Sequence, residues 1–327
     1  MTSVSSFGPL SDQLSVRDIE ATFTSMASHV NLRMSPETAT PTQLTADVEQ
    51  VFGAIAESCT RFDSTSALMR ANANPLQWQH VGEPCFTAIV AAYDAYQDTG
   101  GRFDPRILRA LRALGYDRSF AFDAAPAETP AATADPRPTS ALLWEPRFDP
   151  ELLMVQLGPD PIDLGGIGKG LALRNAADLL RAASPYFLLE AGGDCVVGGA
   201  GPLGDGWAIG VEDPSGGAVP VAVLTMTDQA CATTSTRIRN WRAGGKQVHH
   251  IIDPRTGEPS DRGLVAVTVV GPDPATAEVW SKSLFLSGRD EIADAADAAG
   301  QHTVWITEDG MLEMTESMTA HVTWRAR

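Results

Sequence analysis

Between Asp163 and Gly170 the chain reads Asp-Leu-Gly-Gly-Ile-Gly-Lys-Gly, four glycines in eight residues immediately ahead of an apolar helical pattern (Leu171, Ala172, Ala176, Leu179, Leu180). Glycine reaches backbone conformations closed to other residues and lets a neighbouring group approach the chain closely. A helix that starts there presents N–H groups without intrahelical partners and the positive end of its dipole. Two readings fit. The run is a cradle for phosphate or pyrophosphate, with Lys169 adding a point charge, or it is simply a tight turn into a helix over Gly165–Arg181. It is neither a Walker A loop nor GxGxxG, because the spacing differs and no Lys-Ser/Thr pair closes it.

The rest of the chain mixes helical and strand patterns without a regular βαβ repeat. A strand over Ala21–Met34 is interrupted at Met26-Ala27-Ser28-His29. Helical spacing marks Thr42–Ala56 (Leu44, Val48, Val51, Phe52, Ile55), Cys85–Tyr96, and Ile107–Leu114 with Asp104 as N-cap and Pro105 near the first turn. Strands are predicted at Ala141–Trp144, Leu152–Leu157, Tyr186–Glu190, Trp207–Val211, Val219–Met226, Val248–Ile252 and Val265–Val270. A helix over Pro274–Leu286 and strands at His302–Thr307 and Ala320–Trp324 close the pattern. Such a mixture predicts an α+β fold, with mixed and largely antiparallel sheets flanked by helices. Residues 1–18 read as a flexible lead and 19–327 as one domain. The Ala/Pro-rich stretch 123–140 reads as a loop inserted within it.

Charge narrows the function classes. The formal net charge is −17, which repels phosphate backbones and argues against nucleic-acid binding, so a site for an anion needs locally placed donors. The only lysines are Lys169, Lys246 and Lys282. Cys59, Cys85, Cys195 and Cys231 form no CxxC pair, which predicts reduced thiols rather than a zinc site or disulfide framework. No signal peptide or long apolar run is present, and the expectation is a soluble, cytoplasmic protein.

Three further constellations carry possible chemistry. Leu189-Glu190-Ala191-Gly192-Gly193-Asp194 is a strand ending in two glycines and a carboxylate. It suits acceptance of a ribose or ring N–H, and equally a tight turn capped by its Asp. His249-His250-Ile251-Ile252-Asp253-Pro254-Arg255-Thr256-Gly257 is a strand leading into a turn signature. Alternation would put His250 and Ile252 on one face. A neutral imidazole there is a general base, or a structural histidine. Glu278 and Lys282 stand four residues apart on a predicted helix, the spacing of an exposed ion pair.

Taken in order, these pieces resemble the ApbE family, the FAD:protein FMN transferases, over roughly Met26 to Gly288. Met26-Ala27-Ser28 is similar to the family's Met-Gly-Thr, and Arg61 to Asn72 to its RF…S.L…N segment. Gly101–Pro105 is similar to G-A-F-D-P, with Arg102 for Ala. Asp163–Gly170 resembles D-L-G-G-I-A-K-G, and Leu189–Asp194 the GG(N/D) strand. Ala232-Thr233-Thr234-Ser235 is similar to A-T-S-G, and His249–Gly257 to H-H-I-I-D-P-R-T-G. The resemblance implies an ApbE-like, T-fold-like architecture. It implies cleavage of the FAD pyrophosphate, transfer of FMN to a Ser or Thr of an acceptor flavoprotein as a phosphoester, and a divalent metal, usually Mg²⁺. Met26, Phe62 and Phe103 are implied as apolar walls, Gly165, Gly166 and Lys169 as pyrophosphate contacts, and Asp104 and Asp163 as partners of flavin or ribose polar atoms. Arg102, Gly193, Asp194 and Asp253 complete the implied FAD contacts. His250 is the implied base or positioning group.

One segment departs from the family. Its metal helix reads A-D-A-L-A-T-A-L-F, in which the Asp and the Thr bind the ion. Here Ala277–Phe285 carries Glu278 and Lys282 at those positions. Glu278 with main-chain carbonyls of Gly166 and Gly168 are the remaining implied ligands. A charged Lys has no lone pair to coordinate Mg²⁺ and would repel it. Three functions follow: a transferase in which Lys282 replaces the metal, a catalytically silent FAD-binding or flavin-delivering protein, and an FAD pyrophosphatase.

Overall fold

The computed structural model describes residues 19–35, 40–120, 128–129 and 143–326. The predicted lead 1–18 and all of the 123–140 loop but 128–129 lie outside them.

An eight-stranded sheet organises the molecule. Its strands run in the order Ile19–Ser25, Ser28–Met34, Phe187–Ala191, Asp194–Gly198, Ala230–Ser235, Leu264–Gly271, His302–Thr307 and Leu312–Met314. Every neighbouring pair in it is antiparallel. Helices Pro41–Cys59, Gly168–Ala183 and Pro274–Ser287 cover one face. The other face meets a three-stranded sheet, Val322–Arg325, Ala222–Met226 and Trp207–Val211. Both faces of the central strands are therefore buried. Phe187, Leu189 and Ala191 enter the core beneath the helices, and Leu188 between them enters the core between the sheets, as the two-residue period requires. This is the predicted α+β fold with antiparallel sheet.

Element boundaries differ where local pattern and packing compete. Trp144 belongs to no strand; its indole N–H donates to the Leu157 carbonyl at 2.9 Å and its ring packs edge-on against Tyr93 and Tyr96. The apolar signal there reports burial, and the strand begins at Arg147. Asp104 is not a helix cap. The helix starts at Leu108, and Asp104 instead accepts from the Arg106 N–H at 2.9 Å and grips its guanidinium at 2.7–3.2 Å. The strand before the Asp-Pro turn is Lys246–His249, so His250 lies beyond its end and does not share a strand face with Ile252.

The glycine run performs a packing task. A Cβ on Gly170 would lie 2.4 Å from Ala275 Cα and 2.7 Å from the Pro274 carbonyl oxygen. Glycine thus lets the helix Gly168–Ala183 cross the start of Pro274–Ser287 backbone to backbone. Asp273 secures the crossing, capping its own helix through Thr276 N (2.8 Å) and receiving two 2.6 Å bonds from Arg174. Gly170→Ala is expected to destabilise the fold by about 1–3 kcal/mol or more, read as a lowered urea midpoint. An unchanged midpoint would contradict the close crossing.

Candidate active site

A cleft of about 510 Å³, the size of a small-molecule site, opens above this crossing. Its walls come from the Met26–Ala27 hairpin turn, Thr60–Asp63, Arg102–Pro105, Ile107, Asp163–Gly166, Gly168, Lys169, Arg239, His250–Ile252 and Lys282. Of the residues predicted from sequence, Met26, Phe62, Arg102, Phe103, Asp104, Asp163, Gly165, Gly166, Gly168, Lys169 and His250 line it, together with Lys282. Met26 and Ala27 reach it through left-handed backbone, with φ of 50° and 55°. The pair forms the two-residue turn of a hairpin whose first and last partners are Ser25 and Ser28.

Phe62 leaves 42% of its surface exposed, a large open aromatic wall. Beside it the Arg61 guanidinium lies 4.2 Å from the ring centres of both Phe62 and Tyr116. Arg61 also donates to the Tyr116 carbonyl and stands 3.3 Å from Asp163. Burial pushes the Asp163 carboxyl up, against the pull of Arg61 and the Gly165 N–H. Asp104 borders the cleft, but the contacts from Arg106 fill its acceptor positions.

The two histidines separate by their hydrogen bonds. His249 accepts the Ile251 N–H at Nδ1 (3.2 Å) and donates from Nε2 to the Ser260 carbonyl (3.0 Å); both nitrogens are used and the residue is structural. His250 faces the carbonyl of Arg239 at 3.2 Å through Nδ1. A carbonyl only accepts, so the proton sits on Nδ1 and the Nε2 lone pair is left for another partner. Burial, reinforced by Arg239, Lys282 and His249, holds the His250 pKa well below 6.5. The imidazole is neutral near pH 7.

Below the glycine loop lies a buried charge network. Lys169 donates to Asp194, whose other oxygen accepts the Thr233 N–H at 2.9 Å. Lys169 and Lys282 both donate to Glu278 Oε1, at 3.3 and 3.2 Å, and Gly170 N–H donates to Glu278 Oε2 at 2.8 Å. The anion on this helix start is therefore the protein's own carboxylate. Burial alone would raise Glu278, but Lys169 and Lys282 hold it at about 2. Burial brings Lys169 down to about 8 against the pull of Glu278, and lowers Lys282 likewise. The expected exposed pair is thus a buried one: Glu278 is 1% exposed.

Gly193, Asp194, Asp253 and Glu278 stand outside the cleft wall. Asp194 and Glu278 act on it through Lys169 and Lys282. Gly193 closes a turn, its N–H donated to Glu190 at 2.8 Å. Asp253 clamps Arg255 (2.6 Å) and organises the turn to Gly257. Arg61 lay within a recognised segment without an assigned role. Arg239 was not anticipated, since Thr236-Arg237-Ile238-Arg239-Asn240 has no local pattern that marks it.

Magnesium does not fit this donor set. Glu278 Oε1 faces two ammonium groups, Oε2 is engaged by Gly170, and Lys282 offers no lone pair. Among the described residues no group of three or more His, Cys, Asp or Glu is arranged to hold a metal ion.

The fold and cleft define a mixed α+β protein with a cleft of small-molecule size between an aromatic wall and a lysine-bearing glycine loop. A profile of the ApbE family matches residues 26–306, and the chain belongs to that family. It is 27% identical over 254 residues to the FAD:protein FMN transferase of Salmonella typhimurium, covering 76% of this chain and 72% of the relative. With that of Klebsiella pneumoniae it shares 30% over 237 residues, covering 69% and 72%. The crystal structure of the ApbE protein from Thermotoga maritima superimposes with a TM-score of 0.78 at 26% identity, over 93% of this chain and 99% of the other. The flavin transferase ApbE from Vibrio cholerae does so with 0.74 at 20% identity, over the same shares, a likeness of fold.

Proposed function

We propose that this chain transfers FMN from FAD to a Ser or Thr hydroxyl of an acceptor protein. The observation that carries the reading is the unprotonated Nε2 of His250, fixed by the Nδ1 contact to the Arg239 carbonyl, on a residue that lines the same cleft as the glycine loop and Lys169. The names of the relatives supply the substrate class.

In the step, the acceptor oxygen attacks the phosphorus on the FMN side of the diphosphate. Its proton passes to His250 Nε2. The bridging P–O bond breaks, AMP departs with the electron pair, and the flavin remains on the acceptor as a phosphoester. Lys169 stands to hold diphosphate oxygens, and Phe62 to flank a ring of the dinucleotide. His250 is the catalytic residue. Asp194 positions Lys169.

The test is incubation with FAD and an acceptor carrying a Ser or Thr target, followed by intact mass and nucleotide analysis. An FMN adduct with one AMP released per adduct is the expected result. AMP with free FMN would mean hydrolysis, and no AMP would mean a binding protein; either overturns the reading. No helix among the described residues is long and apolar enough to cross a membrane.

A further inference from the structure

Two of the chain's three lysines, Lys169 and Lys282, meet on a single oxygen of the buried Glu278. Asp194 is a second anion for Lys169, which leaves Glu278 as the only carboxylate that Lys282 bonds among the described residues. The stem of Lys282 lies along Gly166: a Cβ there would come within 3.3 Å of Lys282 Cδ and 3.0 Å of the Phe103 ring. Glycine thus makes room for the stem beside the loop, and Lys282 lines the cleft.

Around this point Lys169, Lys282, Arg61 and Arg239 face Asp163, Asp194 and Glu278, four cations against three carboxylates. The Arg239 guanidinium has no hydrogen bond or ion pair among the described residues, although it lines the same cleft. Within a chain of formal charge −17, these seven groups sum to one positive charge (four cations less three carboxylates), while Glu57 and Asp63 also line the cleft. Glu278 and Asp194, the carboxylates bonded to the two lysines, offer a divalent ion no free oxygen.

We propose that Lys282 is a tethered cation standing where a divalent ion would otherwise neutralise the substrate, so that this cleft binds a diphosphate ester without metal, Lys169 and Arg239 sharing the charge. The proposal rests on the reading of the cleft as an FAD site. Glu278 is a positioning residue that holds both ammonium groups apart from bulk water and aimed at one place. Lys282 contacts the diphosphate oxygens.

The experiment is an equilibrium titration of the full chain with FAD and, separately, with riboflavin, which lacks phosphate. Each is followed by flavin fluorescence in excess EDTA and again in Mg²⁺, with no acceptor present. Wild-type FAD affinity is expected to agree within about twofold between the two conditions. Lys282→Met keeps the stem and deletes the charge; it is expected to weaken FAD binding roughly 10- to 100-fold and leave riboflavin unchanged. Unchanged riboflavin binding also reports an intact cleft, and Lys282→Arg is expected to retain FAD.

The proposal is overturned if EDTA weakens wild-type FAD binding by about tenfold or more and Mg²⁺ restores it. It is equally overturned if Lys282→Met binds FAD as the wild type does. Because no acceptor is present, absence of FMN transfer would leave this result standing. A transferase that needs Mg²⁺ to hold FAD would overturn this proposal alone.

Discussion

Replacing His250 with Ala is expected to slow FMN transfer by roughly 10²- to 10⁴-fold, the usual contribution of a positioned general base, with FAD still bound. His250 donates from Nδ1 to the Arg239 carbonyl, so its Nε2 has the lone pair that an attacking hydroxyl needs. Burial and the neighbouring Arg239 and Lys282 charges disfavour the imidazolium. The pKa in the fold lies below the ordinary value of 6.5, so the base stays unprotonated as pH falls through that value. The rate is therefore expected to persist below pH 6.5 and to fail only at lower pH. The stability sign follows. Below pH 6.5 the unfolded chain binds a proton that the folded chain refuses, so this group's contribution is full above that pH and is lost as pH falls. Single-turnover rates against pH check the first statement, and urea midpoints against pH check the second. A His250→Ala rate within about tenfold of wild type would remove His250 from the role of base.

Glu278→Gln is expected to destabilise the protein by about 3–5 kcal/mol, the range for removing one partner from a buried ion pair. Glu278 is 1% exposed and is the shared counter-charge of Lys169 and Lys282, besides accepting the Gly170 N–H. Asp194 remains for Lys169; Lys282 keeps only a 3.4 Å contact to the residue 278 carbonyl. The pH sign is that of a depressed carboxylate. With Glu278 held at about 2, its contribution is present above the ordinary value of 4.5 and is lost as pH falls toward 2. Lys169 has the same sign in a higher window: its value of about 8 lies below 10.5, so its burial costs stability below pH 8 and that cost fades as pH rises toward 10.5. Urea unfolding of wild type and variant at pH 7 and pH 4, both below the Lys169 window, reads the Glu278 part, the difference being larger at pH 7. A loss at pH 7 no greater than the roughly 0.5 kcal/mol of an exposed pair would contradict the buried network.

Much of the fold was legible because helices carry their own signals. Leu44, Val48, Phe52 and Ile55 share one stripe and are all buried in the helix Pro41–Cys59, and Pro274 opens a helix capped by Asp273. Strands buried on both faces lose the alternation that would reveal them. Asp194–Gly198 is buried at every position, and neither it nor Ala230–Ser235 was anticipated. Trp144 was misread for a related reason, since a buried apolar residue in a loop looks locally like one in a strand.

The sequence by itself determined the order of the motifs, the turns that demand glycine or proline, and the set of side chains able to meet an anionic dinucleotide. Those properties depend on covalent geometry and residue chemistry, which every residue carries wherever it lies. Only the tertiary structure decided which of two adjacent histidines keeps a free lone pair, because the tautomers follow from carbonyls eleven residues away in each case. It likewise decided that Glu278 and Lys282 are a buried pair shared with Lys169 rather than a surface ornament. The strength of a charge interaction is set by distance and by the water excluded around it, and both are fixed only when one helix crosses another at Gly170.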